Sequence, residues 1–156
     1  MKILVMSDTH ENYPLALCAI EMAWPVDAVI HLGDCITDAD QLSHVLAVPL
    51  MRVAGNCDFN ADAPREFVWE CEGKRLLLLH GDRFGVKSGL GRLEKYAAEV
   101  GVDAVLYGHT HVATVTTLSG MLFINPGTLL KTSAFKSFAI VEVNPNGVSA
   151  HLQDLP

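Results

Sequence analysis

The stretch that decides the fold is residues 1–10, MKILVMSDTH, in which the apolar run Ile3 to Met6 leads directly into Asp8-Thr9-His10. A short apolar run bounded by polar residues is typical of a buried β-strand. A carboxylate and an imidazole two positions apart on an extended loop can face the same side of the backbone. The segment therefore predicts a central strand with a pair of metal-ligand-type side chains at its carboxyl end.

The same arrangement, an apolar run followed by polar residues, occurs four more times along the chain. The runs are Ala28 to Leu32 before Gly33-Asp34, Leu50 to Ala54 before Gly55-Asn56-Cys57-Asp58, Leu76 to Leu79 before His80-Gly81, and Ala104 to Tyr107 before Gly108-His109-Thr110-His111. In open α/β sheets, sites form at the edge where the carboxyl ends of the strands meet. We therefore expect the five clusters to come together.

The segments between the first apolar runs predict helices. Asn12 as a cap and Pro14 in the first turn indicate a helix start, and a second helix is predicted over 39–47 with Leu42, Val45 and Leu46 facing inward. A third helix is predicted over 90–100. Strands that alternate with helices imply parallel pairing.

The second half of the chain adds hairpin-type connections. Phe67 to Cys71 and Arg75 to Leu79 flank the short connection Glu72-Gly73-Lys74, and further strands are predicted over 114–118, 121–124, 135–143 and 148–152. Parallel and hairpin-linked strands together predict an α/β fold with two packed mixed sheets and helices outside. The 156 residues, 50% of them hydrophobic, suit a single domain that spans 1–156.

Composition limits the partners and the compartment. The formal charge of −7 argues against a surface for duplex nucleic acid, so we expect a small substrate. Asp8 interrupts the first apolar run too early for a signal peptide, and no run approaches transmembrane length. We therefore expect a cytoplasmic protein without a membrane contact. The four cysteines have no CxxC spacing and are predicted to be free thiols.

The five clusters contain oxygen and nitrogen ligands: Asp8, His10, Asp34, Asn56, His80, His109 and His111. Taken alone, Asp34 has an ordinary explanation as a helix cap and Asn56 as a turn residue. Taken together, the seven side chains suit Mn²⁺, Fe or Zn²⁺ better than a cysteine-rich structural site. One ion would leave several ligands idle, whereas two ions that share Asp34 would use all of them and leave room for a bridging water. At the roughly 3.5–4 Å separation of two-metal sites, that water becomes hydroxide and attacks phosphorus.

These motifs, in this order and over nearly the whole chain, resemble those of the calcineurin-like metallophosphoesterase superfamily. The Gly55-Asn56-Cys57-Asp58 variant is similar to that of its small bacterial and archaeal phosphodiesterases. The resemblance implies a four-layer αββα sandwich and two divalent ions. It places Asp8, His10, Asp34 and His111 on one ion and Asp34, Asn56, His80 and His109 on the other. Mn²⁺ is the first expectation, with Ni²⁺, Fe²⁺, Zn²⁺, Co²⁺ and Mg²⁺ as the other candidates.

The expected function is a dinuclear-metal-dependent phosphodiesterase that hydrolyses small phosphodiesters through a metal-bridging hydroxide. We expect Asn56, His10 and Asp58 to act in catalysis, and Asn56 and Cys57 to contact the substrate. One alternative is a phosphomonoesterase. Another is a non-catalytic interaction scaffold that resembles the retromer subunit of eukaryotes. Apolar strands late in the chain leave a homodimer or a higher homo-oligomer open.

Two positions depart from the pattern of the larger relatives. Cys57 stands where many of them have a histidine that protonates the leaving oxygen, and the loss of a general acid typically costs about 10²–10⁴-fold in rate. Activated diesters are therefore the expected substrates. Glu11 stands where a small residue is common, and it either repels anionic substrates at the mouth of the site or is solvated. His31, His44 and His151 are assigned packing or surface roles.

Overall fold

The ten strands of the protein form two five-stranded sheets, and three α-helices cover them. The computed structural model describes all residues, 1–156. The elements are β1 Lys2–Met6, α1 Tyr13–Ala23, β2 Ala28–His31, α2 Ile36–Ser43, β3 Leu50–Arg52, β4 Glu66–Cys71, β5 Lys74–Leu79, α3 Gly91–Val100, β6 Ala104–Leu106, β7 Thr114–Leu118, β8 Met121–Asn125, β9 Lys136–Asn144 and β10 Gly147–Leu155. Two 3₁₀ turns, Asp82–Phe84 and Val86–Ser88, lie between β5 and α3. No helix is both long and apolar enough to cross a membrane.

Both sheets are mixed. The first has the order β10-β9-β1-β2-β3, in which β1, β2 and β3 run parallel and β9 pairs antiparallel with β1 and with β10. The second has the order β4-β5-β6-β8-β7, with parallel β5, β6 and β8 between antiparallel edge strands. All five polar clusters follow parallel strands, so within each sheet they lie at the edge where the carboxyl ends of these strands meet.

The layers follow from the alternation of side chains along the strands. Ile3 and Val5 of β1 are fully buried against side chains of the second sheet, including Leu76 and Leu78. Leu4 and Met6 point the other way, into a cluster with α1 and α2. A separate cluster covers the second sheet with α3. Because the inner strands β1, β2 and β6 are buried on both faces, they are apolar at nearly every position. The predicted four-layer αββα sandwich is confirmed.

One helix begins earlier than predicted. α2 spans Ile36–Ser43 instead of 39–47, and Val45 lies beyond its end with 62% of its surface exposed, so the prediction that Val45 faces inward is wrong. The cause is a distant residue. The Asp58 carboxylate accepts hydrogen bonds from the backbone N–H groups of Cys35 and Ile36 and so starts the helix at that point. The predicted inward position of Leu42 is confirmed.

A second correction concerns Phe135, which was predicted to begin a strand. β9 begins one residue later, at Lys136, and the side chain of Phe135 is 85% exposed. The chain turns here instead of extending, because the Ser133 hydroxyl donates to the Phe135 carbonyl at 2.7 Å. The predicted hairpin between β4 and β5 is confirmed, with Cys71 paired to Lys74 across the turn.

Candidate metal centre

The five polar clusters converge beyond the carboxyl ends of β1, β2, β3, β5 and β6. Three groups of side chains bring their donor atoms within 4.8 Å of one another: Asp8, His10 and His111; His10, Asp34 and Cys57; Asp34, His80 and His109. The groups share His10 and Asp34, so they form one continuous cluster. The structure thus places six of the seven predicted ligands in these groups, and Asn56 contacts one of them.

The first side of the cluster is built around Asp8. His111 Nε2 lies 3.0 Å from Asp8 Oδ1, and His10 Nε2 lies 3.9 Å from the same oxygen. Asp34 Oδ2 is 3.7 Å from His10 Nε2 and closes this side. Asp8 is fully buried, while His10 and His111 retain 25% and 33% side-chain exposure. A group at this position would therefore be reachable from solvent.

The second side is built around His80. Its Nε2 atom lies 3.5 Å from Asp34 Oδ1, 3.0 Å from Asn56 Oδ1 and 3.2 Å from His109 Nδ1. The two oxygens of Asp34 therefore face different sides, Oδ2 towards His10 and Oδ1 towards His80. A carboxylate in this position has the geometry to serve both halves of the cluster.

Two ring nitrogens of the cluster, Nε2 of His80 and Nε2 of His10, are placed where they could bind a cation. His80 Nδ1 donates to the Leu32 carbonyl at 2.7 Å, so in the neutral ring Nε2 carries a lone pair and faces the Asn56 oxygen, a second acceptor. A cation or a proton must lie between two acceptors at this distance. His10 Nε2 is buried without any hydrogen-bond partner. The donor set therefore fits divalent cations, with the histidine oriented by its backbone hydrogen bond as in metal sites.

The electrostatics of the carboxylates favour their ionised forms. Burial alone would raise the pKa of Asp8, but the hydrogen bond from His111 and the charge of His80 lower it overall. The pKa of Asp34 is likewise held well below its usual range, because hydrogen bonding and charge from His80 outweigh burial. Both groups are therefore anionic at neutral pH. Burial opposes protonation of His80, yet Asp34 and Asp8 raise its pKa overall, so this end of the site attracts positive charge.

The backbone of the site is strained. Five candidate ligands adopt positive φ angles, which are rare for residues other than glycine: Asp8 at 54°, His10 at 46°, Asp34 at 60°, His109 at 67° and His111 at 61°. Such conformations cost on the order of 1–3 kcal/mol each and persist only where the surroundings enforce them. The ligand loops are therefore held in shape by their contacts.

Two glycines let the loops approach the carboxylates. A Cβ atom at Gly55 would lie 2.2 Å from Asp34 Oδ1, and one at Gly108 would lie 2.0 Å from Ser7 Oγ and 2.8 Å from Asp8 Oδ2. None of these three distances is compatible with a side chain at either position. The glycines before Asn56 and His109 are thus required by close packing.

Several supporting residues have roles that the sequence does not indicate. Asp58 accepts four backbone hydrogen bonds, and the Thr128 hydroxyl donates to the Asp8 carbonyl at 2.9 Å. Arg65 donates to the Gly55 carbonyl at 2.7 Å. His31 is fully buried, accepts from the Gly33 N–H and contacts the Thr9 hydroxyl at 3.0 Å. Only Asp58 and His31 had a sequence signal, since each adjoins a cluster.

A cavity of about 580 Å³ opens beside this cluster. His10, Glu11 and Cys57 lie on its wall, together with the start of α2 and residues 58–62. The position of Glu11 is therefore at the mouth of the site. Burial, with the charge of Asp34, raises the pKa of Cys57 to about 11, so its thiol is protonated at neutral pH. His44 and His151 are exposed, in agreement with surface roles.

Comparisons with known proteins identify the family of the chain. The model of the calcineurin-like phosphoesterase superfamily domain matches residues 1–146. The probable metallophosphoesterase YsnB of Bacillus subtilis is 31% identical, with 99% of this chain and 91% of that protein covered. The phosphodiesterase YfcE of Escherichia coli is 27% identical over 83% of this chain and 79% of its own. The crystal structure of Vps29 with Zn²⁺ from Entamoeba histolytica has a TM-score of 0.76 at 21% identity, with 99% of each chain covered, and this likeness is one of fold. By the family model and the extent of these matches, the chain belongs to the calcineurin-like phosphoesterase superfamily.

Proposed function

We propose that the protein is a dinuclear-metal-dependent phosphodiesterase that hydrolyses small phosphodiesters. The observation that carries the proposal is the placement of Asp34, whose two oxygens face two histidine-containing groups 3.7 Å and 3.5 Å away. A single ion would use only one of these groups. Two divalent ions would provide a partner for the donor atoms on both sides of the cluster.

The proposed ligands divide between two ions. Asp8, His10, Asp34 and His111 would hold one ion, and Asp34, Asn56, His80 and His109 would hold the other. When bound, divalent ions in such a pair lower the pKa of water and neutralise charge on phosphoryl oxygens. Oxygen and nitrogen donors suit Mn²⁺, our first choice, as well as Ni²⁺, Fe²⁺, Zn²⁺, Co²⁺ and Mg²⁺.

The residues of the chain itself orient and complete the site. The hydrogen bond from His80 to the Leu32 carbonyl fixes the ring with Nε2 towards the ligands. Asn56 is exposed and its Oδ1 faces His80, while its Nδ2 points to Cys57 Sγ at 3.6 Å, so this amide is on the side from which it could donate to a phosphoryl oxygen. Asp58 uses both carboxylate oxygens for backbone N–H groups, so we assign it a positioning role and not a contact with the reacting atoms.

The diester preference rests on position 57. A histidine there could protonate a basic leaving oxygen, whereas the thiol of Cys57 is a weak acid and a poor hydrogen-bond donor. Leaving groups that depart without protonation are therefore favoured, and these are the aryl and other activated diesters. The name of the relative YfcE, a phosphodiesterase, supports the same reaction class. A phosphomonoesterase remains the alternative within the same chemistry.

An interaction scaffold is the second candidate, because the fold is similar to that of Vps29. A scaffold that does not turn over substrate has no need of the strained ligand loops. Here five ligands keep left-handed backbone angles, and all seven side chains are present. The retained site supports the enzyme over the scaffold, and turnover separates the two.

The test combines a substrate screen with a ligand variant. Bis(p-nitrophenyl) phosphate and p-nitrophenyl phosphate are assayed with Mn²⁺, Mg²⁺, Zn²⁺, Co²⁺ and Ni²⁺, and metal content is measured by mass spectrometry. We expect diester turnover above monoester turnover and two ions per chain. Asp34→Asn should lose most activity and bound metal together, while Asp154→Asn, an exposed carboxylate on β10, should keep both. Full turnover in the Asp34 variant would refute the role of Asp34 as a ligand shared by two ions. If the metal-loaded protein hydrolysed none of the esters, the scaffold would be favoured.

A further inference from the structure

The cavity beside the metal centre has a charge of its own. It lies between the start of α2 and residues 57–62, and we call it the acidic cavity. Its wall carries the carboxylates of Glu11, Asp40, Asp58 and Asp62, and Arg52 is its one permanently charged cation. With about 580 Å³, it has room for a small organic group next to the ligand His10.

The single cation of the acidic cavity is already neutralised. Arg52 Nε lies 3.0 Å from Asp40 Oδ1, and Arg52 Nη2 donates to the Asp62 carbonyl at 3.4 Å. The Asp58 carboxylate is used by backbone N–H groups. Glu11 and Asp62 are therefore the wall carboxylates without an ion pair or a hydrogen bond of their own, and both are exposed.

An aromatic ring stands at the same wall. Phe59 is 86% exposed, although a ring of this size is normally buried unless it contacts a partner. Ile36 and Ala61 add apolar surface to the wall. An exposed ring together with free carboxylates is the combination that recognises an ammonium group, through the face of the ring and through charge.

We propose that the acidic cavity binds one ester group of the substrate and that this group is cationic, an alcohol with a quaternary or primary ammonium such as choline or ethanolamine. This inference rests on the proposed function, because it names the class of diester that the same site takes. An ester group with a further phosphate or carboxylate is disfavoured by Glu11 and Asp62. The phosphoryl group lies at the metal centre, and the cationic group lies in the acidic cavity.

A series of substrates with one leaving group tests the charge preference. Three p-nitrophenyl phosphodiesters differ only in the second alcohol, which is choline, ethanol or 3-hydroxypropionate. We expect kcat/KM to fall in that order, by about tenfold from choline to the anionic ester, and the difference to shrink in high salt. Equal values, or a preference for the anionic ester, would overturn the inference.

Variants of the wall locate the effect. In the double variant Glu11→Gln/Asp62→Asn, the ratio of kcat/KM for the choline ester to that for the ethyl ester should approach unity, and Phe59→Leu should lower it in the same direction. The matched control is Glu99→Gln, an exposed carboxylate on α3 outside the acidic cavity, which should leave the ratio unchanged. If the ratio does not change in the double variant, the preference for choline comes from residues outside the acidic cavity and the inference is contradicted.

Binding is measured separately from turnover. Saturation-transfer NMR on the metal-free protein should detect the methyl groups of choline but not propionate, and Phe59→Leu should abolish the choline signal. Hydrolysis of the ethyl ester without choline preference or choline binding would refute the acidic cavity and retain the phosphodiesterase. Choline binding without hydrolysis of any ester would retain the cavity and refute the phosphodiesterase.

Discussion

Replacement of Asp58 by asparagine tests how the ligand loops are held together. Asp58 Oδ2 accepts from the backbone N–H groups of Asp34 and Gly55, both at 2.8 Å, and Oδ1 accepts from those of Cys35 at 2.8 Å and Ile36 at 2.9 Å. One carboxylate thus joins the loop after β2, the start of α2 and the loop after β3. An asparagine has the same shape but only one accepting atom.

The magnitude follows from that difference. The amide oxygen of asparagine can accept two of the four hydrogen bonds, and its NH₂ group would face the other two N–H donors. A hydrogen bond to a charged acceptor contributes about 1.5–3 kcal/mol, so two lost bonds amount to about 3–6 kcal/mol in a buried setting. Asp58 is only half-buried and water can replace part of the loss. We therefore expect the free energy of unfolding to fall by about 3 kcal/mol.

The assay is urea unfolding of the metal-free protein, followed by the fluorescence of Trp24 and Trp69, with Asp62→Asn as the exposed matched control. The control should remain within about 0.5 kcal/mol of the wild type, as surface substitutions usually do. Calorimetric titration should also show weaker metal binding in Asp58→Asn, because the backbone of Asp34 loses its anchor. A variant as stable as the wild type would mean that water or other groups satisfy these N–H donors, and the positioning role would be refuted.

Three further predictions concern the supports of the site. Gly108→Ala places a Cβ atom 2.0 Å from Ser7 Oγ, so the melting temperature should fall by an amount equivalent to about 1–3 kcal/mol, and an unchanged value would contradict the close packing. Burial lowers the pKa of His31 from 6.5 to about 4, so between these pH values the unfolded chain binds a proton that the folded chain does not. Stability should therefore decrease by about 3 kcal/mol as the pH falls through this window, and His31→Asn should flatten that dependence in unfolding measurements at several pH values. An equally steep dependence in the variant would assign the effect to other groups. Lysine in Arg65→Lys cannot keep both the hydrogen bond to the Gly55 carbonyl and the ion pair with the Asp82 carboxylate, which two guanidinium nitrogens make here. Urea unfolding should therefore show that the free energy of unfolding falls by about 1–2 kcal/mol, and an unchanged value would show that lysine can replace both contacts.

The fold was predictable because the buried strands of the core are short apolar runs in the sequence. Each predicted parallel strand is present, and the edge at which they end is where the candidate ligands meet. The local patterns sufficed because strand burial and helix spacing are properties of neighbouring residues. The start of α2 was not predictable in this way, since its anchor Asp58 lies 22 positions from Ile36 along the chain. The sequence places Asp58 in a cluster but does not show what its oxygens contact.

The candidate ligands were identifiable by residue type, whereas the acidic cavity was not. Residues 57–62 adjoin a cluster and drew attention to one wall, but the opposite wall comes from α2, and Arg52 enters from the end of β3. The pairing of Arg52 with Asp40 decides the charge of the cavity, and it depends on the packing of α2 beside β3. Charge that is cancelled by a distant partner cannot be counted from composition.

The strained ligand loops depend on the residues that support them. Left-handed backbone angles are uncommon for residues other than glycine, so five histidines and aspartates with such angles at one edge indicate a stabilising network nearby. The network is present in the backbone contacts of Asp58, Arg65 and Thr128. These residues bear no ligand atoms that face the cluster, yet they fix where the ligand atoms lie. Sequence rules that treat each residue by its local preference fail at such a site, because the preference is overruled by contacts that only the folded chain makes.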